Sequence, residues 1–109
     1  MASSKEFLDF VLEQLSALPD ISYRAMMDEY IIYYRDKIIG GIYDNRFLIK
    51  TTESALKIMP NAQIEIPYNG AKPMIMIPDI ENTELLTNLI TTIYPELPNK
   101  KTFNKKDNK

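Results

Sequence analysis

At 109 residues, 45% of them hydrophobic and 26% charged, the chain suits one globular domain with a single core rather than a disordered segment. Cysteine and histidine are both absent, which removes thiol nucleophiles, disulfides, imidazole bases and the common zinc and iron ligand sets. The net charge of −2 is unevenly spread: residues 99–109 hold five lysines against Asp107, which leaves an acidic body unsuited to non-specific phosphate binding.

In chain order, the first predicted element is a helix. Ser3 or Ser4 caps it, and Glu6 stands three residues after Ser3 in capping-box spacing. Phe7, Leu8, Val11, Leu12, Leu15 and Leu18 then form one apolar stripe, until Pro19-Asp20 ends the ladder. From Ile21 the period changes to that of strands. The runs Ile21–Met27, Glu29–Arg35, Lys37–Tyr43 and Arg46–Lys50 are predicted to form an antiparallel meander, because their connections are too short for parallel crossovers. Asp44-Asn45 is suited to the positive φ of a two-residue hairpin. A short helix over Glu53–Met59, capped by Thr51 or Thr52, stops at Pro60.

Two short strands, Ile64–Ile66 and Met74–Ile77, flank a Pro/Asn/Gly loop. They form a hairpin, or one of them an edge, since Pro67 and Pro73 have no N–H for a ladder. A last helix capped by Asn82 or Asp79 turns Leu85, Leu86, Leu89, Ile90 and Ile93 inward, and Pro95 and Pro98 end it. The expected fold is therefore a two-layer α+β domain over residues 1–98, its helices covering one face of the sheet, with residues 99–109 as a basic tail. The other face must meet water, a partner or a second copy. No segment approaches the roughly 18 apolar residues of a membrane span, and the N-terminus lacks the pattern of a secretory signal, so a cytoplasmic location without membrane contact is expected.

Catalytic motifs are missing from this framework. There is no nucleophile elbow, no phosphate-binding glycine loop and no calcium loop, and Gly40-Gly41 lies within a strand, where glycine marks a bulge or a close approach. Acidic pairs such as Asp28-Glu29 sit at turns, where solvation or capping explains them. No cofactor and no enzyme activity are expected. The candidate binding residues lie on the strands and the loop. Tyr30 and Tyr34 share one face of the second strand with Ile32, and Tyr33 shares the other with Ile31, so both faces are apolar. That pattern fits a doubly packed strand and also a tyrosine-bearing interface. Arg24, Arg46 and Lys50 offer a basic cluster for an anion or a carboxylate-bearing partner, or simply keep the sheet soluble.

"MASSKEFLDFVLEQLS", "YRAMMDEYIIYYRDKIIGGIYDNRFLIK" and "PYNGAKPMIMIPD", in this order and spacing, resemble the N-terminal domain of the TfoX/Sxy family of bacterial competence regulators over residues 1 to about 98. The matching positions are Arg24, Met26, Met27, Glu29 and Tyr30, then Arg46 and Lys50, then Tyr68, Gly70, Ala71, Lys72 and Pro73. Asp28 departs from the glycine common there, and aspartate is among the residues that tolerate the left-handed conformation. The resemblance implies a secretion-chaperone-like α+β fold. It also implies a stand-alone N-terminal module that regulates competence genes through protein contacts, as a homodimer or with another protein, without catalysis. Tyr68 and Lys72 join the candidate binding residues through it. Nucleic-acid association through the basic tail and a small anion-binding domain are the alternative readings.

Overall fold

The computed structural model describes residues 4–27 and 29–98; Asp28 and the basic tail at 99–109 lie outside the described residues. Helix α1 (Lys5–Gln14) starts where Ser4 accepts the Phe7 N–H through its hydroxyl at 3.1 Å. It is shorter than the apolar stripe predicts. The residue before a proline is disfavoured in the helical region, so the chain leaves the helix through turns before Pro19. Leu15 and Leu18 are buried all the same.

Strands β1 (Ile21–Met26), β2 (Glu29–Tyr34), β3 (Lys37–Tyr43) and β4 (Arg46–Lys50) form the predicted meander. Asp44 and Asn45, both at positive φ (54° and 56°), make the tight β3–β4 connection. Helix α2 (Glu53–Ile58) is capped by Thr52, and α3 (Thr83–Ile93) by Asn82. Between them β5 (Ile64–Glu65) pairs with β6 (Met74–Met76), and β6 returns to lie beside β4. The antiparallel sheet therefore runs β1-β2-β3-β4-β6-β5, with β1 and β5 as its edges. The fold is an α+β domain with helices before and after a many-stranded antiparallel sheet, as predicted. No helix among the described residues is long and apolar enough to cross a membrane.

Register assigns the faces. Tyr30, Ile32 and Tyr34 of β2 stand on one side, level with Ile42 of β3, Phe47 and Ile49 of β4 and Ile75 of β6. Leu8, Val11 and Leu15 of the first helical segment, Ala55 of α2 and Leu86, Leu89, Ile90 and Ile93 of α3 cover this side and complete the core. Burying each large apolar side chain here contributes about 1.5–3 kcal/mol. The opposite side carries Arg24 of β1, Ile31 and Tyr33 of β2, Ile38, Gly41 and Tyr43 of β3, and Arg46, Leu48 and Lys50 of β4. No helix among the described residues covers it, yet Leu48 is fully buried and Tyr33 and Met74 are nearly so. The second face therefore does not wait for a partner along its whole length.

Candidate functional site

The loop between β5 and β6 folds back over the second face and shapes a site there. Pro67 and Pro73 bracket it, and Gly70 takes a positive φ of 91° in open space, a conformation that costs a side-chain-bearing residue strain. The Ala71 N–H donates to the Tyr68 carbonyl at 3.0 Å, and the Thr51 hydroxyl donates to the Pro73 carbonyl at 3.0 Å, tying the loop to the end of β4. Tyr68 packs against Tyr43 with ring centroids 6.0 Å apart.

Between loop and sheet lies a groove of about 630 Å³, a volume in the range of small-ligand sites. Ile31, Ile38 and Met74 give it an apolar floor, Tyr43 and Tyr68 an aromatic wall, and Lys50 and Lys72 its positive charge. Leu97 and Pro98 approach from the end of α3, and Glu96 stands on the rim. Lys50 pairs with Met74 through the β4–β6 ladder, but its ammonium makes no ion pair or hydrogen bond among the described residues. Burial, reinforced by the charge of Lys72, holds its ammonium below the ordinary lysine pKa. Burial also raises the Tyr43 phenol, with smaller contributions from Tyr68 and Glu29. The Glu96 carboxylate accepts hydrogen bonds from the Ser54 hydroxyl and, at 3.2 Å, the Ser54 N–H at the start of α2. These bonds, the side-chain one foremost, keep its pKa below the usual carboxylate value. Its charge is thus engaged by α2 rather than by either lysine.

The candidate residues divide between three places. Lys50, Tyr68 and Lys72 meet at the groove. Arg46 shares their face, but its guanidinium is paired with Glu65 at 2.5 Å and donates to the Tyr43 carbonyl at 3.2 Å, so it braces the β3–β4–β5 side rather than offering free charge. Arg24 is exposed on edge strand β1, level with Ile31, and does not line the groove. Tyr33 is on the groove's face but buried. Tyr30 and Tyr34 belong to the helix-covered side. Tyr30 packs edge-on against Tyr23 at 5.9 Å, and Tyr34 against Tyr94 at 5.3 Å. Tyr94 is fixed in turn by its hydroxyl, which donates to Asp36 at 2.8 Å, and by the Lys37 ammonium 4.5 Å from its ring centroid. Tyr34 is therefore a packing residue, not an interface. Tyr43, Ile31, Ile38 and Met74 are site residues that the candidate set did not include. Strand alternation places Ile31, Tyr43 and Lys50 on one face, but only the folded-back loop makes that face concave.

Among the described residues no group of acidic side chains is placed to hold a metal ion. The chain is similar to a protein of Spirochaeta aurantia described as an uncharacterized 12.7 kDa protein in the trpE 5' region. The two are 29% identical over 99 residues, which span 90% of this chain and 86% of that protein. No family model and no solved structure matches the chain.

Proposed function

We propose that the chain is a non-enzymatic, cytoplasmic regulatory domain of TfoX-like type that acts by protein contact from the groove-bearing face of its sheet. One observation carries this reading. Two blocks of the resemblance that are far apart in sequence, the one ending at Lys50 and "PYNGAKP" at 67–73, come together around a single groove. Residues that merely stabilise a strand and a loop have no need to converge on a concave, charged surface with an aromatic wall. Such surfaces suit recognition, because aromatic side chains supply contact area at low entropic cost while the lysines set orientation.

The test is genetic. Removing the gene should lower the transcripts of DNA-uptake genes, the wild-type chain should restore them, and a Lys50→Glu/Lys72→Glu chain that accumulates normally should not. Unchanged transcripts after removal would refute the competence role. Restoration by the double variant would refute the groove as the acting surface.

A further inference from the structure

We propose that the groove between the 67–73 loop and the β2–β3–β4 face binds a small organic anion, one carboxylate or phosphate group carried on an apolar body. The anionic group lies at Lys50 and Lys72, and the body rests on Ile31, Ile38 and Met74 beside Tyr43 and Tyr68. This does not rest on the regulatory reading: the genetic test can fail while the groove still binds its ligand, and the reverse.

Three features of the site converge on this ligand class. The first is the half-buried Lys50. A partly desolvated ammonium without a counter-charge is costly unless something answers it, and the second cation, Lys72, adds to that cost rather than relieving it. Structural lysines are ordinarily paired or fully solvated, whereas Lys50 is neither. An anion brought between the two would lower the energy of both.

The second feature is the lining, which is mainly apolar and aromatic with its cations set by β4 and the loop. Inorganic phosphate would satisfy the lysines but leave the apolar floor wet. A neutral hydrocarbon would cover the floor but strand the ammonium. Only a ligand with both parts answers the whole surface. The third feature is the direction of charge. The rim carboxylate of Glu96 is held by Ser54, so the groove has a positive part and a separately engaged negative edge, and an anionic group is steered to one place within it.

Decanoate, decanol, phenyl phosphate and inorganic phosphate serve as probes, titrated at low ionic strength by calorimetry and followed by backbone amide shifts. Decanoate and phenyl phosphate should bind and shift the amides of Gly70, Ala71 and Lys72. Decanol and inorganic phosphate should each bind at least about tenfold more weakly than their organic-anion counterparts. Lys50→Met and Lys72→Met should each weaken decanoate about tenfold or more, with the amide spectrum otherwise preserved. Lys72 is exposed, so its variant decides the matter should Lys50→Met disturb the fold. The proposal is overturned if decanoate and decanol bind equally, if Lys72→Met leaves the decanoate affinity unchanged, if the shifts map elsewhere, or if millimolar decanoate and phenyl phosphate cause none.

Discussion

At the scale of single residues, the feature of most consequence is the half-buried ammonium of Lys50. Burial, then the like charge of Lys72, depresses its pKa in the folded state, so the unfolded chain holds that proton more tightly. Folding stability contributed by this group must then rise with pH, from the depressed folded value up to the ordinary lysine value of about 10.4. Tyr43 faces the same groove and works in the opposite sense. Its raised pKa means that the folded state keeps the phenol proton longer, so its contribution is present below the ordinary tyrosine value of about 10 and is lost as pH rises through the folded value. The two are separated by comparing the wild type with Lys50→Met. At pH 7 the variant should melt about 2 °C higher, a scale suited to a half-solvated charge. That advantage should shrink as pH climbs toward about 10, where lysine loses its charge in either state. Urea titrations at pH 7, 8.5 and 9.5 would check it. A stability difference that stays constant across the series would mean that the Lys50 ammonium is not strained in the fold.

At the scale of elements, most of the fold was legible in the sequence because local chemistry and tertiary packing agree. Ser4, Thr52 and Asn82 each sit just before an apolar period, and each caps a helix through its side chain. Asp44-Asn45 adopts the positive φ that its residue types tolerate. Gly40-Gly41, readable as a bulge or a close approach, is a close approach that stands next to a bulge. The β2–β3 register slips between Ile32 and Tyr33, with Ile39 left without a partner, and a Cβ on Gly40 would lie 2.0 Å from the Leu48 carbonyl oxygen. A Cβ on Gly41 would meet the Tyr30 carbonyl oxygen at 2.6 Å and the Tyr43 ring at 2.9 Å. These neighbours are mainly backbone and cannot swing aside, so Gly40→Ala should cost about 3 kcal/mol or more in urea unfolding, through loss of the β3–β4 pairing. A loss below about 1 kcal/mol would show that the strands separate readily there. The candidate site was less legible, for a physical reason. Strand alternation puts Ile31, Tyr43, Arg46, Leu48 and Lys50 on one face, but it cannot say that Glu65 takes up Arg46, or that the 67–73 loop turns back over this face beside the half-buried Lys50. Those are long-range contacts set by where β6 inserts beside β4, and no short-range pattern encodes them.

At the scale of the whole molecule, the two faces of the sheet are packed differently. Its helix-covered face holds nearly all the fully buried side chains, with Phe47 the largest among them. Its other face is covered in part by a loop whose Tyr68 side chain remains 59% exposed, with Leu97 and Pro98 at one end of the groove. Stability and recognition should therefore come apart under substitution. Phe47→Ala removes a ring from the packed face and should destabilise by about 3–5 kcal/mol, while the protein that is still folded keeps its groove and its affinity for decanoate. Tyr68→Ala removes an exposed ring that touches Tyr43 across the groove. It should shift the unfolding midpoint by no more than about 0.5 kcal/mol, yet weaken decanoate severalfold through loss of the aromatic wall. Denaturation midpoints and titrations on the same two variants test this together. Losses of stability and affinity in proportion in both variants would instead make the groove a by-product of core packing rather than a surface built separately on the far side of the sheet.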